Sequence, residues 1–143
     1  MIAKLSVTSI WVLDKEEALD FYVNKLGLEK GQDFKQGDYR WLTVRVPGDP
    51  GMDISLEQPG PPVQDESTAA QLRELISKGA MGGLVFQTED VRGLYEAFKK
   101  RGVTDFIQEP ADNFYGTDMS VRDPFGNAIR ILERKKVARE ATA

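Results

Sequence analysis

The side chains able to do chemistry here form a short set, because none of the 143 residues is His or Cys. Catalytic triads built on Ser-His or Cys-His are excluded, as are thiolate nucleophiles, disulfides and Cys-ligated zinc. The commonest nitrogen ligand for a metal is missing too. The candidates singled out on strand-like stretches are the carboxylates of Asp53, Glu57 and Asp118, the guanidinium of Arg130, and the indoles of Trp11 and Trp41. A carboxylate there can serve as a general base, with Arg130 stabilising developing negative charge. The three acids could also assemble an oxygen-ligand metal site. The plainer alternative is that each is solvated or paired, with Arg130 reaching Asp53 or Asp118 across a sheet. Arg130 could otherwise anchor a ligand carboxylate or phosphate. The indoles either stack on a planar or cationic ligand, or plug a concavity or a dimer contact.

The elements that must position these residues follow from periodicity and punctuation. Leu5 to Leu13 alternates and is rich in β-branched residues, predicting a strand. Asp14 caps a helix with Ala18, Leu19, Tyr22 and Leu26 at helical spacing, closed by Gly27. Three strands follow, Leu28 to Lys35, Tyr39 to Val46 and Met52 to Gln58, parted by turns at 37–38 and 47–51. Pro59-Gly60-Pro61-Pro62 cannot continue a strand, and Glu66 to Lys78 reads as a linker helix. The pattern then repeats. A strand at Gly83 to Thr88 precedes a helix capped by Asp90, carrying Leu94, Tyr95 and Phe98 and ended by Gly102. Strands at Asp105 to Glu109, Gly116 to Arg122 and Asn127 to Glu133 complete it, with Glu109-Pro110 ending the first of them. The caps Asp14 and Asp90 stand 76 residues apart, an offset that superposes Ile10 on Phe86 and Tyr22 on Phe98. An internal duplication is the economical explanation. The expected fold is α+β: two tandem βαβββ modules, about 5–58 and 82–134, joined by a helical linker at 59–80. Together they form one domain whose curved mixed sheet surrounds a concave cavity.

A net charge of −4 disfavours nucleic acid and acidic membranes as partners. Its basic cluster, Glu133-Arg134-Lys135-Lys136, reads as a solvated end. No apolar run approaches the ~20 residues needed to span a bilayer, and no leader pattern is present. The expected setting is cytoplasmic.

Two motifs carry a family resemblance. Val12-Leu13-Asp14 with Ala18-Leu19-Asp20-Phe21-Tyr22 and Leu26-Gly27-Leu28 resembles the opening of vicinal oxygen chelate proteins, the glyoxalase and bleomycin-resistance group. Asp123-Pro124-Phe125-Gly126-Asn127 with Ile129-Arg130-Ile131 is similar to their closing hairpin and last strand. The resemblance implies four inward positions that hold a divalent metal in the enzymes of the group, typically as His or Glu. Here they are Val7, Ser55, Gly83 and Arg130. None is a good ligand, and Arg repels a cation. No metal and no cofactor are therefore expected.

With Val7 inward, alternation turns Ser9 and Trp11 inward, and Thr8, Ile10 and Val12 toward the helix. Val85 and Gln87 share a face with Gly83. Leu42, Val44 and Val46 form an apolar stripe, leaving Trp41 and Thr43 on the cavity side. Asp53, Ser55 and Glu57 share one face, and Leu132 accompanies Arg130. Phe114-Tyr115-Gly116 is either a mobile lip or a structural turn, and Phe21, Tyr22, Tyr95 and Phe98 are core. The resemblance implies a small-molecule-binding homodimer of the bleomycin-resistance type. A metal-independent enzyme using Asp53, Glu57 or Asp118 is the alternative. A metal-dependent lyase or dioxygenase fails on ligands.

Overall fold

The computed structural model describes residues 1–135, so Lys136 of the basic cluster lies outside the described residues. The chain forms two compact units, Met1–Met81 with Pro124–Gly126, and Gly82–Asp123 with Asn127 onward. Unit 1 contains β1 (Val7–Trp11), α1 (Lys15–Leu19), β2 (Glu29–Gln36), β3 (Tyr39–Arg45), β4 (Asp53–Glu57) and α2 (Glu66–Ser77). Unit 2 contains β5 (Leu84–Gln87), α3 (Val91–Lys100), β6 (Phe106–Asn113), β7 (Gly116–Arg122) and β8 (Ala128–Arg134).

Each unit closes its own four-stranded mixed sheet with the same topology, β1-β4-β3-β2 in one and β5-β8-β7-β6 in the other. In both, the first strand pairs in parallel with the last, and the remaining neighbours are antiparallel. The fold is α+β, two βαβββ modules in tandem. No helix among the described residues is long and apolar enough to cross a membrane.

Alternation sets the core. In unit 1 the even-numbered residues Ile10, Val12, Leu42, Val44, Ile54 and Leu56 are buried. In unit 2 Met119, Val121, Ile129 and Ile131 play the same part. The apolar stripe of β3 ends at Val44, not Val46, which lies past the strand end and is 37% exposed. Phe21, Tyr22 and Phe98 are buried, but Tyr95 is only half-buried, because its hydroxyl reaches out to donate to Glu109 at 3.0 Å.

Helix starts follow their caps. Asp14, Asp65 and Asp90 each accept a backbone N–H three residues on, from Glu17 (3.0 Å), Thr68 (2.7 Å) and Gly93 (3.0 Å). The first helix departs from the expected regular α-helix: α1 runs into a wider π-helical turn, Asp20–Lys25, where the Leu26 N–H reaches back to the Phe21 carbonyl at 2.9 Å. Successive residues of an α-helix point about 100° apart; the wider turn accompanies burial of both Phe21 and Tyr22, packed edge to face at 5.2 Å.

The strand expected to end at Glu109-Pro110 continues through Pro110 to Asn113. β6 is an edge strand paired only with β7, and the ladder shifts register between Gln108 and Ala111. Pro110 sits in that irregularity, where its missing N–H disrupts no ladder bond.

Asp90→Ala should remove the α3 cap and cost about 1 kcal/mol. Urea denaturation measures it; an unchanged midpoint would mean the cap contributes nothing.

Candidate functional site

The face of each sheet opposite the apolar core carries a polar cluster whose side chains hydrogen-bond one another. In unit 1 the register sets Val7 beside Asp53, Ser9 beside Ser55, Trp11 beside Glu57, Thr43 beside Ser55 and Trp41 beside Phe34. All the unit 1 residues expected on one face are therefore brought together on it. Ser9 is exposed, Trp11 and Trp41 half-buried, and Thr43, Asp53 and Ser55 buried.

Asp53 is held at the inner end of this face. Thr43 donates its hydroxyl to Asp53 Oδ2 at 2.6 Å, and Arg45 Nη2 donates to the same oxygen at 3.2 Å. Arg45 Nε lies 3.1 Å from Oδ1, close enough for the ion pair but not aligned for a hydrogen bond. Of the two carboxylates open to Arg130, Asp53 is not the one it meets; Arg130 pairs with Asp118. The guanidinium on Asp53 comes from Arg45, which shares the parity of Trp41 and Thr43 on the same strand. The sequence signal for Arg45 was that parity alone, carried one step past Thr43. Gly31 completes the cluster: any Cβ there would lie 2.5 Å from Thr43 Oγ1 and 2.8 Å from Asp53 Oδ2. Its lack of a side chain lets the β2 bulge close, and Gln32 N–H donates to Thr43 Oγ1 at 2.8 Å.

The outer end is aromatic and acidic. Tyr39 donates its hydroxyl to Glu57 Oε1 at 2.7 Å, and Ser55 donates to the same oxygen. Burial, then the hydrogen bond and charge of Glu57, push the Tyr39 phenol up to about 12. Trp41 Nε1 donates to Gln32 Oε1 at 2.8 Å. With its N–H engaged, the indole is fixed in orientation.

Unit 2 repeats the theme around Asp118, which is 3% exposed. Arg130 donates from Nε (2.8 Å) and Nη2 (2.5 Å) to Asp118 Oδ2. Tyr115 donates to Oδ2 at 2.8 Å, while Gln108 and Asn113 each donate to Oδ1 at 3.0 Å. Burial alone would raise the Asp118 pKa; the hydrogen bonds from Tyr115, Arg130 and Gln108 outweigh it and hold the carboxyl below its ordinary value. The same bond to Asp118 raises the Tyr115 phenol and the Arg130 guanidinium. Tyr115 is thus tied into the network, with Arg130 Nη2 donating to its hydroxyl at 2.6 Å, and Phe114 beside it is exposed. Val85 and Gln87 pair with Arg130 and Leu132 and are both exposed. Gly83 stands just before β5, where any Cβ would sit 1.9 Å from the Ala128 carbonyl oxygen.

Gly31, Gln32, Tyr39, Arg45, Gln108 and Asn113 were missed by sequence reasoning. Their roles arise from bulges and cross-strand register, which alternation within one strand does not reveal. Among the described residues, no three His, Cys, Asp or Glu side chains cluster to hold a metal. Use of Asp53 or Asp118 as a base would first require breaking its guanidinium pair.

The model of the Glyoxalase/Bleomycin resistance protein/Dioxygenase superfamily matches residues 4–131. The chain belongs to that superfamily. It is 34% identical over 132 residues to YurT of Bacillus subtilis strain 168, covering 92% of this chain and 99% of the relative. Among solved superfamily-like structures, UcmS2 is 42% identical with a TM-score of 0.85, covering 92% of this chain and 98% of its own. TnmS3, an antibiotic binding protein from Streptomyces sp. CB03234, is 26% identical with a TM-score of 0.73, covering 94% and 98%.

Asp118→Asn should lower stability at neutral pH by about 2 kcal/mol, less than the ~3–5 kcal/mol of a fully buried broken pair because Arg130 is partly exposed. The folded pKa lies below the unfolded one, so the stabilisation is complete above the unfolded value near ~4 and is lost as pH falls through the folded value. Urea denaturation from about pH 7 to about pH 3 should show the gap between wild type and variant narrowing. A gap independent of pH would contradict this.

Proposed function

We propose that the protein binds an aromatic, antibiotic-like small molecule without using the superfamily's metal chemistry. The observation that carries this reading is the chemistry at Val7, Ser55, Gly83 and Arg130. Val7 and Gly83 offer no donor atom, and the backbone at Gly83 leaves no room for a larger side chain. Ser55 gives its hydroxyl proton to Glu57, and Arg130 is a cation already locked on Asp118. Catalytic divalent metals need several converging carboxylates or imidazoles. The residues present do not fit one.

What the chain does offer is a polar sheet face edged by indoles. Trp11 and Trp41 present large, rigid surfaces at low entropic cost. Ser9, Thr43, Ser55 and Glu57 supply polar contacts on the same face as the indoles, with Asp53 behind them. In unit 2, Val85, Gln87, Tyr115, Asp118 and Arg130 are proposed as ligand-contacting residues of that unit's own sheet. The antibiotic-binding activity of TnmS3, a relative over nearly its whole length, supports the same direction. We place the protein in the cytoplasm as a homodimer, a state that light scattering after gel filtration checks.

Titration with an anthracycline and with bleomycin, followed by Trp fluorescence, tests the reading. At least one planar aromatic antibiotic should quench saturably, and Trp41→Ala should weaken it roughly tenfold, about 1.4 kcal/mol. Absence of saturable quenching across a panel of polycyclic aromatics would overturn it.

A further inference from the structure

Asp53 and Asp118 each hold a guanidinium, from Arg45 at 3.1 Å and from Arg130 at 2.5 Å. Glu57, half-buried on the same face as Asp53, holds none. Among the described residues no lysine or arginine nitrogen comes within ion-pair distance of it. Its donors are neutral. Tyr39 gives its hydroxyl proton to Oε1 at 2.7 Å and stands 3.1 Å from Oε2, and Ser55 donates to Oε1. Hydroxyls orient a carboxylate without cancelling its charge. Lys15 is near enough to feel that charge. Its ammonium nevertheless donates to the Arg40 carbonyl and sits over the Tyr39 ring, 4.8 Å from the centre.

The surroundings of Glu57 are aromatic. The parallel register puts Trp11 beside it on β1. Thr43 stands opposite Ser55, so Trp41 and Glu57, each two residues on in the same direction, continue that row. Phe34 pairs with Trp41 across β2 and β3, is 52% exposed, and extends the aromatic surface. Ring faces attract a cation, and a carboxylate accepts a charge-assisted hydrogen bond from it.

We propose that Glu57 anchors a protonated amine of the ligand, whose planar part lies on Trp11, Trp41 and Phe34. This assignment rests on the aromatic-ligand reading above and adds the ligand's charge: a cationic aromatic amine, not a neutral or anionic polycycle. A ligand ammonium supplies the counter-ion that the fold itself supplies to Asp53 and Asp118. A carboxylate has about four acceptor positions, and the two hydroxyls bring one proton each, so acceptor capacity remains for the amine. The net charge of −4 favours approach of a cation. An anionic ligand would meet the uncompensated carboxylate at the same place and be repelled.

The test uses matched pairs that keep the ring system and differ in charge: anthracenylmethylamine against anthracenylmethanol, and daunorubicin against its N-acetyl derivative. Calorimetric titration near neutral pH gives the affinities. In each pair that binds saturably, the amine should bind the wild-type protein about tenfold tighter than its neutral partner. Glu57→Gln should bring that ratio close to one. The ratio is taken within each protein, so a general loss of affinity does not imitate the effect, and the wild-type ratio stands alone if the variant does not fold. Equal affinities within the pairs, or a ratio that survives in Glu57→Gln, would overturn the assignment and leave the aromatic-ligand reading standing. No saturable binding of any of these compounds would count against both.

Discussion

A carboxylate buried in a β-sheet must find donors on neighbouring strands, and each sheet of this protein is organised around one such group. Asp53 is met by Thr43 and Arg45, and Asp118 by Tyr115, Gln108, Asn113 and Arg130. An unpaired buried charge costs far more than a paired one, so these contacts dictate the local register. Gly31 and the β2 bulge exist in a form that lets the donors reach Asp53. The turn at Phe114-Tyr115 is drawn in by the Tyr115 hydroxyl. The polar faces are thus firm surfaces with fixed side chains, as a binding surface for a rigid aromatic ligand requires.

The same arrangement bears on catalysis. Asp53 and Asp118 are each neutralised by a guanidinium group, which disfavours proton abstraction by either. Glu57 differs: it is half-buried and held by neutral hydroxyls from Tyr39 and Ser55. It joins the aromatic edge at Trp11 to Tyr39, over whose ring the Lys15 ammonium lies at 4.8 Å. The chemistry of unit 1 therefore concentrates at the carboxyl ends of β1 and β4.

Much of the fold was legible in the sequence, because caps, glycine stops and alternation are local signals. Asp14 and Asp90 mark two helix starts, and the parity of Ile10, Leu42 and Leu56 marks the core side. The π-helical turn after Leu19 was not legible, since it has nearly the spacing of an α-helix. Nor was the passage of β6 through Pro110, which depends on the strand lying at a sheet edge. The site was half legible. Period-two alternation grouped Trp11, Trp41, Thr43, Ser55 and Glu57 correctly on one face. The choice of partner was not fixed, because whether Arg130 meets Asp53 or Asp118 depends on cross-strand geometry. Tyr39 and Lys15 come together from a strand start and a helix start, which alternation within one strand does not reveal.

We propose that Val7, Ser55, Gly83 and Arg130 cannot hold a divalent metal. The most direct test is metal content by inductively coupled plasma mass spectrometry, after equilibration with manganese, iron, nickel and zinc and then desalting. Substoichiometric metal is expected for every ion. One tightly retained equivalent of any of them would contradict it.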